Sequence, residues 1–273
     1  SIEQKNSIIQ KRVQEFDPEV DQILQGDFNG NGFEDYIIYK KNSGNEFSTY
    51  LNSYNILSPF HAIDSIDIRT TTEEKLRNVF VTSFQDEKLH ITNKSGLTVI
   101  GEKIEEYDVN PFIPGSEYRS VTTVTTYGYD NELKQFIPYV KQYNNANYVL
   151  NQECNNTYAK KVNKKYVSGD FNGDGVTDVL TVELPTKYTY CSNHNGSCNT
   201  CRELTRNSKQ VSLIDLNRSI ETNFIYYLGS MTRNVEVTDQ LLAADFDGDG
   251  KSDLWHFSSQ GIDVYSVNGR SIE

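Results

Sequence analysis

The chain is poor in positive charge. Twenty-six Lys and Arg stand against 38 Asp and Glu, a formal net charge of −12. Nucleic-acid partners are therefore not expected, because phosphate binding draws on clustered Lys and Arg. No apolar run reaches about 18 residues, so no transmembrane helix is expected. Sulfur is scarce, with one Met and four Cys, and there is a single Trp. One Trp leaves little from which to build repeated aromatic sugar sites. No nucleophile elbow, phosphate loop, zincin helix or paired Cys/His arrangement occurs, so no enzyme class is indicated. The four His (His61, His90, His194, His256) are scattered. His256 alternates with Trp255 in a β-prone run and reads as an ordinary packed or exposed strand residue. No signal peptide is visible and the chain opens at Ser1 without Met, which reads as a processed product or a segment of a longer protein.

What is abundant is Tyr, Phe and short acidic turns. Aromatics make up 12% of the 273 residues and hydrophobics 36%, enough for a core. Tyr- and Thr-rich runs favour strands. Three nonapeptides then stand out: Asp27-Phe28-Asn29-Gly30-Asn31-Gly32-Phe33-Glu34-Asp35, Asp170-Phe171-Asn172-Gly173-Asp174-Gly175-Val176-Thr177-Asp178, and Asp245-Phe246-Asp247-Gly248-Asp249-Gly250-Lys251-Ser252-Asp253. Oxygen-bearing side chains recur at positions 1, 3, 5 and 9, and glycine at 4 and 6. A hard cation such as Ca2+ takes six to eight oxygens, and a nine-residue segment converges them only by turning sharply at glycine. Position 7 (Phe33, Val176, Lys251) varies in side chain and is read as offering its backbone carbonyl. The alternative is an Asn/Asp/Gly turn that binds nothing. An EF-hand is disfavoured, since it needs flanking helices and a Glu at position 12, where Ile38, Thr181 and His256 stand.

The loops differ in charge. The first carries two carboxylates at the ligand positions (Asp27, Asp35), the second three (Asp170, Asp174, Asp178) and the third four (Asp245, Asp247, Asp249, Asp253). More anionic ligands favour tighter binding, so affinity is expected to rise from first to third.

Each loop sits between strand-like runs. Ile23-Leu24-Gln25 precedes the first and Asp35 to Tyr39 follows; Tyr166-Val167 and Val179 to Val182 frame the second; Leu241 to Ala244 and Leu254 to Phe257 frame the third, followed by a turn at Ser259-Gln260-Gly261 and a strand from Ile262 to Val267. Two further hairpins lack a loop: Val79 to Phe84 with Leu89 to Thr92, and Val121 to Tyr129 with Leu133 to Val140, turning at Asp130-Asn131. The loops begin at 27, 170 and 245, so the first interval is about twice the second, as a cation-less unit between the first two would give. Such repetition points to an all-β chain built as a β-propeller or partial propeller, one domain over 1–273, with an N-terminal extension over 1–20. That extension has room for a short helix near Ile8 to Phe16, ended by Asp17-Pro18. At roughly 40–75 residues per blade the length makes about four to six blades. The short last unit would draw its closing strands from the N-terminal segment or from sequence beyond the chain.

The three motifs and their flanking runs resemble the FG-GAP/VCBS repeats, the calcium-loop blades of integrin-α-type propellers, some lectins and bacterial toxin shells. The resemblance implies a propeller stiffened by up to three Ca2+ ions, with Asp27, Asn29, Asn31 and Asp35 and their equivalents as ligands. Asn31 departs from the Asp common in the family. The tyrosine-rich hairpin Thr126-Tyr127-Gly128-Tyr129-Asp130 is similar in texture to propeller segments of bacterial Tc/Rhs-type toxin proteins.

Cys191, Cys198 and Cys201 lie in a polar insertion over 185–205, with Cys154 upstream. Two disulfides, a zinc site using the Cys with or without His194, and free thiols all remain open. Extracellular calcium-loop proteins live where disulfides persist. Cys198 and Cys201, being so close, would take different partners, with Cys154 and Cys191 available. The expected role is a non-catalytic calcium-binding module, secreted or at the cell surface, that binds a protein partner or docks within a larger assembly. A sugar-binding lectin propeller and a propeller hydrolase or lyase are the alternatives.

Overall fold

The computed structural model describes residues 17–40, 46–52, 60–63, 75–86, 91–107, 117–145, 163–194, 197–217 and 224–273. The regular elements among them are all β-strands, joined by turns. The helix expected near Ile8 to Phe16 lies outside the described residues, as do Cys154, Leu89 and His90. The chain divides into two compact units. One comprises Ser1–Thr71, Val79–Val99 and Thr125–Tyr139, the other Thr72–Asn78, Ile100–Val124 and Val140–Glu273.

In the first unit, β1 (Gln22–Gly26), β2 (Asp35–Lys40), β3 (Glu46–Asn52) and β4 (Phe60–Ile63) form an antiparallel sheet in chain order. The first nonapeptide is the β1–β2 connection. Along β2, Asp35, Ile37 and Tyr39 point inward and alternate with half-buried Tyr36, Ile38 and Lys40, the period-2 pattern of a strand with one covered face. A separate four-stranded sheet, not confined to that unit, runs β5 (Lys75–Asp86), β6 (Ile91–Tyr107), β7 (Glu117–Asp130), β8 (Gln135–Asn145). A line of Thr hydroxyls crosses it: Thr82 Oγ1 lies 2.6 Å from Thr98 Oγ1, which lies 2.9 Å from Thr126 Oγ1. The β7–β8 turn occupies 131–134 and is longer than the sequence suggested. The carboxylate of Asp130 accepts the backbone N–H groups of Glu132 and Leu133, and Lys134 has φ 56°, so Leu133 belongs to the turn and not to a strand.

In the second unit, β9 (Lys164–Gly169) and β10 (Asp178–Glu183) flank the second nonapeptide. With β13 (Gln210–Ile214) and β14 (Ile225–Ser230) they form a sheet of order β14-β13-β10-β9. All six residues of β10 are buried. The insertion between β10 and β13 folds into its own antiparallel hairpin, β11 (Thr186–His194) with β12 (Ser197–Arg206). The third nonapeptide joins β15 (Gln240–Ala244) to β16 (Asp253–Ser258), and β17 (Gly261–Tyr265) completes a three-stranded sheet. The strand expected through Val267 stops at Tyr265. Val267–Asn268 (β18) pairs instead with Ser271–Ile272 (β19). Val167, Phe171, Leu180, Val182, Leu213, Leu228 and Leu254 belong to one hydrophobic cluster, which joins the β9–β10–β13–β14 sheet to β16.

Candidate cation loops

The three nonapeptides adopt one conformation. Their paired glycines all have left-handed φ: 72° and 81° at Gly30 and Gly32, 76° and 81° at Gly173 and Gly175, 79° and 87° at Gly248 and Gly250. A Cβ-bearing residue would be strained at each, which is the reason for glycine at positions 4 and 6.

The same hydrogen bonds hold each turn. At position 1, one carboxylate oxygen of Asp27, Asp170 or Asp245 accepts the N–H of the position-6 glycine, at 2.9, 2.9 and 3.0 Å. The other oxygen accepts at position 4 or 5: Asn31 N–H on Asp27, Gly173 N–H on Asp170, Gly248 N–H on Asp245. The position-3 side-chain oxygen of Asn29, Asn172 or Asp247 accepts the N–H of position 5. That of position 5 (Asn31, Asp174, Asp249) accepts the N–H of position 7. At position 9, Oδ2 of Asp35, Asp178 and Asp253 reaches back to the N–H of position 2, at 2.9, 3.2 and 2.8 Å. These position-9 carboxylates are buried, at 0, 0 and 4% exposure. Oxygens of four side chains are thus turned toward one small loop in each copy. In the third, ligand atoms of Asp245, Asp247 and Asp253 lie within 4.8 Å of one another, the one such group of three or more His, Cys, Asp or Glu side chains among the described residues. An all-oxygen, multiply anionic donor set on a short loop suits a hard cation such as Ca2+.

Position 7 behaves differently in each copy. Phe33 is exposed and Val176 is buried. Lys251 puts its Nζ 3.2 Å from Asp249 Oδ2, and its backbone N–H and ammonium together hold that carboxyl below the usual range.

No protein-family model, curated protein or solved structure matches the chain.

Each of the first two loops is seated against another segment in the same way. Ser95 N–H donates to Asp27 O at 2.9 Å, and Ser252 N–H to Asp170 O at 2.7 Å. Gly26 and Gly169, just before position 1, make room for those serines. A Cβ built on Gly26 would fall 2.6 Å from Ser95 Oγ, and one on Gly169 would fall 2.8 Å from Ser252 Oγ. Ser252 is position 8 of the third nonapeptide, so Ser95 stands where position 8 of a loop would be. The residue after it is Gly96, where a loop would have its position-9 Asp. In the third copy the residue before position 1 is Ala244, which is exposed. The position-2 ring follows suit: Phe28 and Phe171 are fully buried, whereas Phe246 is 62% exposed. Phe28 meets Phe136 edge-on at 6.1 Å; Phe246 meets Trp255 at 5.4 Å, and Trp255 stacks on Phe257.

Residues outside the nonapeptides complete the setting of the loops and were not legible as site residues. Asp215 follows β13 and is 5% exposed. Asn217 donates from Nδ2 to Asp174 Oδ2 at 3.0 Å. Ser266 follows β17 and donates from Oγ to Asp253 Oδ1 at 2.6 Å. Burial, then the negative charge of Asp215, Asp174 and Asp170, pushes the Asp178 carboxyl up to about 8, against the N–H bond from Asn172.

Of the cysteines, Cys201 is disulfide-bonded and stands directly opposite Cys191 in the β11–β12 register. Cys198 lies in β12 and His194 ends β11. His256 is fully buried in β16 with Nε2 2.8 Å from Asp239 Oδ2.

Proposed function

We propose that the chain is a calcium-stabilised, non-catalytic β-propeller segment of the FG-GAP/VCBS kind, binding up to three Ca2+ ions and docking within a larger secreted or cell-surface assembly. The observation that carries this reading is the threefold recurrence of one loop conformation, down to the acceptor used at positions 1, 3, 5 and 9. Asn and Asp turns are common, but three copies with the same buried carboxylate at position 9 go beyond what a turn needs. A carboxylate is costly to bury without a compensating charge, and a cation supplies it. The ion would be held by Asp27, Asn29, Asn31 and Asp35 in the first loop and by the matching residues in the others. Its chemistry is structural: it cancels repulsion among the clustered carboxylates and fixes the strand-to-strand turn. The Ser95-Gly96 arrangement supports a repeat unit that keeps the hairpin and has lost the loop.

The exposed apolar side chains of Leu242 in β15, Phe246 in the third loop and Ile262 in β17 support the docking role. Ala244 has the Cβ that Gly169 lacks, so a partner there would not copy the Ser252 seating. Calcium titration of the wild type and of Asp35→Ala, Asp178→Ala and Asp253→Ala by calorimetry tests the reading. Each variant is expected to lose one bound ion. A wild type that binds no calcium contradicts it.

A further inference from the structure

The surroundings of position 9 also differ between the copies, and they do so at a buried carboxylate. In each sheet the ladder between the strand after the loop and the next strand ends one step short of it: at Tyr36↔Tyr50, Val179↔Ile214 and Leu254↔Tyr265. The residues that continue these ladders opposite Asp35, Asp178 and Asp253 are Leu51, Asp215 and Ser266. Side chains directly opposite on antiparallel strands stand about 4.5–5.5 Å apart at Cβ.

In the third copy the opposite residue resolves the second oxygen of the position-9 carboxylate, since Ser266 Oγ donates to Asp253 Oδ1 at 2.6 Å. In the second copy it does not. Asp178 is fully buried; its Oδ2 accepts Phe171 and Asn172 N–H, and its Oδ1 is buried with no hydrogen-bond partner. Across from it is a second carboxylate, which in its charged form only accepts. Like charges directly opposite are destabilising, and a buried unsatisfied acceptor adds its desolvation cost. Asp215 is held in place there. Its backbone N–H donates to Phe224 O at 2.8 Å, its Oδ1 accepts Asn217 N–H at 3.1 Å, and Asn217 Nδ2 reaches Asp174 of the loop at 3.0 Å.

The geometry points to Asp215 as an additional anionic ligand of the second cation, which sits between Asp178 and Asp215 and ties the β9–β10 loop to the turn after β13. This rests on the calcium reading above and extends it to a residue outside the nonapeptide. Counting Asp215 gives the second site four carboxylates (Asp170, Asp174, Asp178, Asp215). The third also has four, but one of them, Asp249, is already paired with Lys251. The gap in affinity expected from the loops alone therefore narrows, while the third loop keeps the tighter cluster, with Asp245, Asp247 and Asp253 within 4.8 Å of one another.

The test uses the full chain carrying Asp27→Ala and Asp245→Ala, which leaves the second loop, and measures calcium binding by calorimetry with and without Asp215→Ser. Serine is the residue the third copy tolerates at the same place. Asp215→Asn, closer in shape, is the companion variant, and circular dichroism of each checks its folding. We expect Asp215→Ser to weaken calcium binding by roughly ten- to hundredfold, with Asp215→Asn in the same direction. Unchanged or tighter binding in both folded variants would mean that Asp178 and Asp215 share a proton and not a cation, and would overturn the inference while leaving the loop reading intact. No calcium binding even with Asp215 present would overturn both.

Discussion

Gly169→Ala probes the seating of the third loop on the second. A Cβ at Gly169 would lie 2.8 Å from Ser252 Oγ, 2.9 Å from Ser252 Cβ and 2.9 Å from Ala243 Cβ. Carbon atoms rest at about 3.5–4.0 Å, so the serine or the strand must retreat by well over half an ångström. The nearest available retreat stretches the Ser252 N–H bond to Asp170 O, now 2.7 Å. Overpacking costs about 1–3 kcal/mol and a weakened hydrogen bond up to about 1 kcal/mol more. Against this, alanine restricts the unfolded chain and returns about 0.4–1 kcal/mol. The net is a loss of about 1–3 kcal/mol, a lower urea midpoint with an unchanged slope. Ser252→Gly in the same chain removes two of the three close atoms and should recover most of the loss. Ala244→Gly, at the matching but open position, should change stability by no more than about 0.5–1 kcal/mol. A Gly169→Ala chain as stable as the wild type would refute the seating described here.

The position-2 phenylalanines should separate by burial: Phe171→Ala is expected to cost about 3–5 kcal/mol in urea unfolding, and Phe246→Ala under about 1 kcal/mol, with comparable losses counting against the packing. The raised Asp178 carboxyl sets a pH dependence. Its folded value of about 8 lies above its unfolded value near 3.8, so the stabilisation is complete below about pH 4, declines as pH rises, and is gone above about 8. In excess EDTA the chain should therefore have a lower urea midpoint at pH 8.5 than at pH 5.5, and a midpoint that rises over that range contradicts it. Peptide mapping without reduction should recover Cys201 joined to Cys191, because directly opposite strand residues meet the Cα separation a disulfide needs. Cys201 recovered with Cys198 or Cys154 would contradict that pairing.

The loops were legible because their chemistry is local. Asp-x-Asx-Gly-Asx-Gly-x-x-Asp needs no distant residue to close its turn, and the structure finds the expected bends at Gly30, Gly32, Gly173, Gly175, Gly248 and Gly250. The flanking strands were equally plain from their apolar runs. Asp215 was not, because its meaning lies in the β10–β13 register and not in its neighbours in sequence. Setting Val211 to Asp215 beside Ile262 to Ser266 would have shown that a carboxylate and a hydroxyl alternate at one structural place. Ser95 was hidden for the same reason, its role being visible only against Gly26. The end of β17 was misjudged because Val267 finds a closer partner in Ile272 than any the apolar pattern reveals.

The most direct test is the melting temperature of the full chain in saturating calcium and in excess EDTA. An ion bound only by the folded state stabilises it by about 2.7 kcal/mol per site at a hundred times its dissociation constant, and about 2–4 °C accompanies each kcal/mol in a chain of this size. Calcium is expected to raise the melting temperature by about 5 °C or more over EDTA, and Asp178→Ala and Asp253→Ala are each expected to reduce the rise. Identical melting in calcium and in EDTA would contradict the calcium reading.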